Sequence, residues 1–351
     1  MKRAKIYLIF ILFTLLLSSC QQKAQDPYVR LVHDEAGQRV DVFVDDQYFT
    51  SYLYTDTIPN LKKTILYPVR TMQGNNLTRG FPLDAIPGER VDHPHHIGHW
   101  LNYGDVNGLD FWNNSAAIPA ERVDQMGVIR HREITKSQEG QGSATLGVIA
   151  DWLKSDGTVV IEENTQFIFR AMADMRVIDR VTTLTALEDT VIFKDNKEGM
   201  IAIRVTRALE HPAQKAIILS DAHGNATEVP VLDNEGITGK YVSSRGIQGM
   251  EVWGKRAEWV ALTGTVKGEK IILAILDHPH NVGYPTYWHA RGYGLFAANP
   301  LGQKIFSEGK EELNFTLQPS ESVTFKYRIL ILSGEMDMMK MKKQYEQFIA
   351  Q

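Results

Sequence analysis

The chain has a single cysteine, Cys20, among its 351 residues. A disulfide needs two thiols, so no intramolecular disulfide framework can form. The same count excludes a cysteine nucleophile or a thiolate metal site beyond residue 20. The fold must therefore be held by a packed core, and chemistry must be sought among histidines, carboxylates and other side chains.

The sequence also lacks an excess of positive charge. It carries 38 Lys and Arg against 42 Asp and Glu, which gives a formal net charge of −4. Nucleic-acid-binding proteins normally present clustered positive charge to the phosphates. The composition therefore predicts no nucleic-acid partner, and it is compatible with a glycan or a small sugar as the ligand.

An apolar run stands at the N-terminus. It covers residues 6–17, follows a short basic segment, and is followed by Ser-Ser-Cys, which ends at Cys20. This arrangement is typical of a bacterial lipoprotein signal, and the run is short for a spanning helix. We predict a signal peptide over residues 1–19 and a tether over 20–27, attached to the membrane by a lipid on Cys20. The predicted location is the cell envelope, at the outer membrane or facing the periplasm. An ordinary signal peptide or a membrane anchor is the alternative.

Beyond residue 27 the pattern favours strands. Valines alternate with other residues over 40–44, and similar short runs recur between clusters of Gly, Asn, Asp and Pro. Many short strands with turn signals predict an all-β fold, a large antiparallel β-sandwich. A helix is predicted from about 335 to 350, with Ser333 as its cap. Because no Pro/Ser-rich linker interrupts residues 28–351, we predict one β-sandwich domain there.

Histidine is concentrated in one stretch. Four of the 11 histidines lie in Asp-His-Pro-His-His-Ile-Gly-His-Trp, which begins at Asp92. His93 and His95 would point to one side of an extended backbone, and the proline between them favours a strand end or an ordered loop. Such a group can act in acid–base catalysis, donate to a polyol, or bind a divalent metal. His93, His95 and His96 are therefore the catalytic and metal-ligand candidates, although single histidines of the group can also be structural.

Part of this stretch is repeated late in the chain. Asp-His-Pro-His returns at Asp277, and Trp-His-Ala-Arg follows at residues 288–291. We predict that the two stretches meet at one site. His278 and His289 are the catalytic candidates from the second stretch. Trp288 and Arg291 are its predicted substrate-binding residues.

Two further places carry candidates. Glu198 stands just before an apolar strand that contains Arg204. We predict that Glu198 is a general base and that Arg204 binds an anion or a hydroxyl group. A surface ion pair or a turn acid is the alternative for Glu198. Asn107, Asp110 and Trp112 are predicted substrate contacts, since polar groups can take sugar hydroxyls and an aromatic face can pack on a sugar ring. By default they are turn formers and core residues.

Together these motifs resemble a bacterial family of unknown function that carries the label "methane oxygenase PmoA". The resemblance covers about residues 67–328 and is carried by the two Asp-His-Pro stretches, by Gly-Asp-Val-Asn-Gly-Leu-Asp-Phe-Trp and by Lys-Glu-Gly. It implies an exported protein of carbohydrate metabolism with a galactose-mutarotase-like β-supersandwich. The label itself does not fit, because membrane monooxygenase subunits need several apolar spans.

We therefore predict an exported lipoprotein that acts on a glycan or sugar derivative by His/Glu acid–base chemistry. The reaction would be hydrolysis, elimination or epimerisation. Two alternatives stay open. A non-catalytic glycan-binding lipoprotein would use the same Trp and Arg side chains, and a metal-dependent oxidoreductase would need a bound metal. No cofactor is certain, and a divalent metal is the one considered.

Overall fold

The computed structural model describes residues 26–351. The predicted signal peptide, the lipidation site Cys20 and residues 20–25 of the predicted tether lie outside this range. Within it, no helix combines the length and the apolar character that crossing a membrane requires.

Strands make up most of the described chain. In chain order they are β1 Tyr28–Asp34, β2 Arg39–Val44, β3 Gln47–Leu53, β4 Ile65–Leu66, β5 His99–Tyr103, β6 Val128–Gln138, β7 Gly140–Gln141, β8 Ser143–Leu153, β9 Val159–Met172, β10 Met175–Ala186, β11 Val191–Phe193, β12 Gly199–Arg204, β13 Lys240–Ser243, β14 Trp259–Val266, β15 Glu269–Asp277, β16 Tyr287–Ala290, β17 Leu295–Asn299, β18 Phe315–Leu317 and β19 Ser322–Ser333. The α-helices are α1 Gln303–Phe306 and α2 Met338–Ile349, and 3₁₀ turns cover Ala120–Gln125, Arg207–Leu209 and Gly249–Val252.

These strands form two large sheets and one small one. The nine-stranded sheet has the order β16-β17-β12-β5-β4-β3-β2-β1-β7, and the eight-stranded sheet has the order β13-β14-β15-β19-β10-β9-β8-β6. β11 and β18 form a separate pair. Every ladder between these strands is antiparallel.

The main core lies between the two large sheets. In β2 the alternating valines at 40, 42 and 44 are all buried, as the period-two pattern predicts. Across the gap, the ring of Phe49 meets Phe169 edge-on with centroids 6.4 Å apart, and Tyr52 lies 5.7 Å from Phe167. Face-to-face sheets with one shared apolar layer confirm the predicted all-β antiparallel sandwich.

The predicted C-terminal helix is confirmed, but its predicted cap is wrong. Oδ1 of Asp337 accepts from the backbone N–H groups of Met339 at 2.8 Å and Lys340 at 3.1 Å. Ser333 is instead the last residue of β19 and donates its hydroxyl hydrogen bond to Glu269. The helix buries Met341 and other apolar side chains on the outer face of the eight-stranded sheet.

The outer face of the nine-stranded sheet positions the candidate site. His289 pairs with Ala297, Ala297 with Ala202, and Ala202 with Trp100, so these four residues form one row across four strands. Because alanine side chains are short, the sheet surface is depressed between His289 and Trp100. Three strand spacings separate the ends of the row, which is about 14 Å between backbones.

Candidate functional site

A buried arginine fixes the loop that carries the first histidine cluster. Arg79 is 1% exposed, and its guanidinium donates to the carbonyl oxygens of Asp92 at 2.8 Å, His93 at 2.9 Å and His96 at 3.1 Å. These bonds satisfy a charged group whose burial would otherwise be costly. Arg79 therefore sets the backbone of the loop on which the histidines stand.

The carboxylate of Asp92 is held between two guanidinium groups. Its Oδ1 accepts from Nη1 of Arg79 and from Nη2 of Arg204, both at 2.6 Å, and lies 3.3 Å from Nδ1 of His93. Burial alone would raise the pKa of Asp92, but the His93 hydrogen bond and the two arginine charges hold this pKa far below its usual range. An ionised Asp92 orients the proton of His93 onto Nδ1 and leaves Nε2 as an acceptor.

His93 is the exposed member of the cluster. Its side chain is 41% exposed, and its ring stacks on Tyr293 with centroids 5.0 Å apart and on His96 at 4.9 Å. Its backbone φ is 43°, a left-handed value that is uncommon outside glycine and recurs at functional sites. The Arg79 bond to the His93 carbonyl oxygen holds this conformation in place.

His96 lies underneath and presents an unpaired donor. Its Nδ1 is 3.2 Å from Nη1 of Arg204, and because a guanidinium can only donate, Nδ1 accepts and Nε2 carries the proton. Burial, and then the charges around it, lower the pKa of His96 well below the usual value. Within residues 26–351, Nε2 of His96 and Nε1 of the adjacent Trp112 have no hydrogen-bond partner. Two neighbouring buried N–H groups can serve a substrate oxygen.

Arg204 does not occupy the substrate-clamp position that the sequence predicts. It is fully buried, and its guanidinium is used by Asp92 and His96. Arg204 is the last residue of β12 and is buried beneath the loop, out of contact with solvent. Arg204 therefore supports the Asp92–His93 pair from below.

The rings of the cluster are not arranged as a shared set of metal ligands. The planes of His93 and His96 are parallel to within 3°, and His95 stands at 75° to His96 with centroids 4.4 Å apart. Imidazole lone pairs lie in the ring plane, so those of parallel stacked rings do not point to one ion. Among the described residues, no group of three or more His, Cys, Asp or Glu is placed to hold a metal. The ring geometry gives the predicted metal set His93, His95 and His96 no support.

Lys63 is a site residue that the sequence interpretation missed. Its ammonium is buried, donates to the carbonyl oxygen of His95 at 2.7 Å and lies 5.1 Å from the ring centre of Trp100. Burial lowers the pKa of Lys63 to about 7, against the opposing charge of Asp110. In the sequence this lysine stands beside Lys62 and has the signature of a surface residue.

The buried lysine predicts a pH dependence of stability. Between about pH 7 and its unfolded pKa of about 10.4, Lys63 is neutral in the folded state and charged in the unfolded chain, so the free energy of unfolding rises with pH. Lys63→Met should remove this contribution. Urea titrations should show the wild type gaining about 1–2 kcal/mol more than the variant between about pH 7 and pH 9. Equal slopes for both proteins would mean that Lys63 stays charged in the fold.

A cleft of about 660 Å³ opens beside His93. Its lining is Arg90, His211, Pro212, Ala213, Gln214, Lys215, Ile217, Met250, Trp253, Arg291, Gly292 and Tyr293. Tyr293, which stacks on His93, is shared by the cleft and the histidine cluster. The guanidinium of Arg291 lies 5.7 Å from the ring centres of both Trp253 and Tyr293. The volume suits one or two sugar units.

Glu210 is a second residue that the sequence interpretation missed. It is buried behind the cleft, and its Oε2 accepts from Nε of Arg90 at 2.6 Å, while Oε1 has no partner within the described chain. Burial raises the pKa of Glu210 to about 7, with Arg90 acting against it. The charges of Asp92 and Arg204 also act on this carboxyl. Two carboxyl groups with pKa values pushed apart are typical of acid–base centres.

The prediction that the two Asp-His-Pro-His stretches meet is wrong for His278. β15 ends at Asp277 in the eight-stranded sheet, whereas β16 belongs to the nine-stranded sheet, so the intervening segment crosses between sheets. His278 remains on the side of the eight-stranded sheet, with its ring centre 5.2 Å from that of Phe348 of α2. From the late stretch, Arg291 reaches the cleft.

Glu198 and His289 form a separate group at the far end of the alanine row. Nδ1 of His289 donates to the carbonyl oxygen of Lys197 at 3.0 Å and lies 3.9 Å from Oε2 of Glu198, which also pairs with the Lys197 ammonium. Burial, and then the charges of Lys197 and Arg291, lower the pKa of His289 to about 3. Neither Glu198 nor His289 lines the cleft, and the charge of Arg291, which does line it, acts on His289.

Trp288 and His99 point away from the site. Both are buried on the side of the nine-stranded sheet that faces the main core. Nε1 of Trp288 donates to the carbonyl oxygen of Ala257 at 3.0 Å, and Nδ1 of His99 donates to that of Ala202 at 2.9 Å. The prediction of Trp288 as a substrate-binding residue is wrong, because strand alternation turns its ring inward.

Asn107 and Asp110 are turn residues rather than members of the cleft. The amide of Asn107 bonds the carbonyl of residue 190 and the N–H of residue 192. Oδ1 of Asp110 accepts the backbone N–H groups of Trp112 and Asn113, each at 2.9 Å. Of the three contacts predicted in this stretch, Trp112 lies against the histidine cluster.

Residues 39–346 match the model of the "Family of unknown function (DUF6807)", and the chain belongs to that family. The assignment to the family labelled methane oxygenase PmoA is therefore wrong. No curated protein matches the sequence.

Three solved structures show distant similarity. The galactosidase domain of the alpha-galactosidase-sucrose kinase AgaSK gives a TM-score of 0.41 at 11% identity, over 87% of this chain and 42% of that one. The Slr1438 protein from Synechocystis sp. PCC 6803 gives a TM-score of 0.32 at 10% identity, over 88% of this chain and 96% of that one. A beta-arabinopyranosidase gives a TM-score of 0.29 at 9% identity, over 87% of this chain and 38% of that one. The chain thus spans less than half of the first and third structures. Scores this low carry no argument about activity, which must come from the chain's own residues.

Proposed function

We propose that the protein is an enzyme that acts on a sugar or glycan by proton transfer, with His93 as the acid–base group. The observation that carries the proposal is the Asp92–His93 contact on a fixed loop, with the His93 ring stacked on the wall of the cleft. A histidine whose Nδ1 is held by an ionised carboxylate presents Nε2 to its substrate. Hydrolysis, elimination and epimerisation all need such a transfer.

The surrounding residues supply the other parts of such a site. Trp253 offers an aromatic face to the C–H side of a sugar ring, and Tyr293, with His93 stacked on its ring, forms the wall beside it. Beneath His93, the buried N–H groups of His96 and Trp112 have no hydrogen-bond partner among the described residues. Glu210, whose pKa is raised to about 7, is the complementary acid–base group behind the cleft.

A panel of oligosaccharides and glycosides with three readouts tests the proposal. New reducing ends report hydrolysis, ultraviolet absorbance of an unsaturated sugar reports elimination, and deuterium uptake from heavy water reports epimerisation. We expect one of the three signals with the wild-type protein. Sugar binding without any of them would favour the non-catalytic glycan-binding alternative, which would use the same cleft.

We also propose that the chain is a lipoprotein of the cell envelope, at the outer membrane or facing the periplasm. The support is the signal pattern that ends at Cys20. Cys20→Ser should move the full-length protein from the membrane to the soluble fraction, because the acceptor of the lipid is lost. Fractionation with immunoblotting measures this, with Ser18→Ala as the matched control that keeps the cysteine. Retention of Cys20→Ser in the membrane fraction would contradict the assignment.

A further inference from the structure

The cleft beside His93 is lined by positive charge. Arg90, Lys215 and Arg291 line it, and among the described residues no Asp or Glu side chain does so. The chain as a whole carries a net charge of −4, so this concentration of cations is local. A concave surface of one sign attracts ligands of the opposite sign.

The two arginines of the cleft differ in their partners. Nε of Arg90 donates to Glu210 at 2.6 Å, so its charge is balanced from behind. No carboxylate of residues 26–351 forms a salt bridge with Arg291. Its guanidinium lies against the neutral rings of Trp253 and Tyr293. Aromatic contacts of this kind hold the guanidinium plane and leave its N–H fork free for a bidentate acceptor.

The free cation and the acid–base group flank the same tyrosine. Arg291 lies 5.7 Å from the ring centre of Tyr293, and the His93 ring lies 5.0 Å from it. Tyr293 therefore joins the cation of the cleft to the histidine cluster. Trp253 extends the wall on the far side of Arg291.

We propose that the cleft recognises an anionic sugar, and that Arg291 binds its acidic group. A uronate carboxylate fits the guanidinium fork with two parallel hydrogen bonds, and a sulfate ester shares the charge. Trp253 packs on the sugar ring beside it. This inference rests on the proposed function for its ligand, a sugar, and specifies the class of that sugar.

Calorimetric titration of the His93→Ala protein separates recognition from chemistry, because binding is then measured without turnover. The probes are glucuronate, glucose 6-sulfate and glucose. We expect glucuronate to bind, glucose to bind more weakly, and Arg291→Gln to weaken glucuronate about 10- to 100-fold. Arg245→Gln is the matched control, since it removes an exposed, ion-paired guanidinium outside the cleft. Its glucuronate affinity should not change.

Melting temperatures establish that each variant is folded. Tighter binding of glucose 6-sulfate than of glucuronate would identify a sulfate as the acidic group. Glucuronate binding without turnover by the wild type would uphold the anion inference and count against the proposed chemistry on that sugar. The inference is overturned if neither anionic sugar binds, if glucose binds equally well, or if Arg291→Gln leaves the affinity unchanged, whatever activity the wild type has.

Discussion

The His93→Ala variant is expected to lose about 100- to 10,000-fold in turnover, while its melting temperature stays within a few degrees of the wild type. The loss follows from the acid–base role proposed for His93, whose Nδ1 lies 3.3 Å from the Asp92 carboxylate and whose ring stacks on Tyr293 of the cleft wall. Stability should change little, because the ring is partly exposed and stacks on the outer surface of Tyr293 rather than filling the core. Steady-state kinetics on a sugar from the panel, with thermal melting of the same samples, measure both quantities.

His278→Ala is the matched control, because it removes the corresponding histidine of the second Asp-His-Pro-His stretch. His278 is buried against Phe348 on the other sheet, so its loss should cost about 1–3 kcal/mol of stability and leave turnover unchanged. The sequence alone predicts that both substitutions abolish activity. If His278→Ala is inactive at full stability while His93→Ala is active, the catalytic centre lies on the other sheet.

Arg204→Leu is expected to lower the free energy of unfolding by about 3 kcal/mol and to abolish turnover. Arg204 is fully buried, donates to Asp92 at 2.6 Å, bonds Nδ1 of His96 and lies 5.0 Å from the ring centre of Tyr293. Its removal leaves Asp92 with Arg79 as its guanidinium partner and releases the stacked rings above. Urea denaturation measures the loss.

Arg132→Leu is the control for Arg204. Arg132 bonds both Asp151, at 2.8 Å, and Glu162 on the surface, and its side chain is 41% exposed, so water screens these pairs. The expected cost is under about 1 kcal/mol, with turnover intact. Arg204→Lys keeps the charge but loses the planar fork, and it should fall between the two. Similar losses for Arg132→Leu and Arg204→Leu would show that the buried network stabilises the fold no more than a surface ion pair does.

The fold was predictable because its signals are local. Alternation of valines over residues 40–44 and the turn clusters between runs need no knowledge of the tertiary structure. The density of histidine at residues 93–96 was likewise visible in one loop. The crossing between sheets after Asp277 could not be predicted, because a repeated sequence motif does not indicate the sheet in which each copy lies. That crossing is why His278 and His93 are apart.

The missed residues share one physical property. Arg79, Lys63 and Glu210 are charged residues whose burial depends on packing between distant segments. A periodicity argument therefore places them on the surface. Tyr293 stands two residues after Arg291, and its role becomes clear from its stacking on His93. The Glu198 prediction came from its position before a strand, which gives no information on whether its side chain lines a cleft.

A nitrogen NMR spectrum of the histidine side chains, recorded with and without the sugar that binds most tightly, tests whether His93 is the acid–base group. We expect neutral His93 to carry its proton on Nδ1, facing Asp92, and the sugar to shift its Nε2 signal. Asp92→Asn should remove the tautomer preference, because the acceptor charge is lost. A proton on Nε2 of His93, with no response to the sugar, would contradict the claim that His93 is the acid–base group of the cleft.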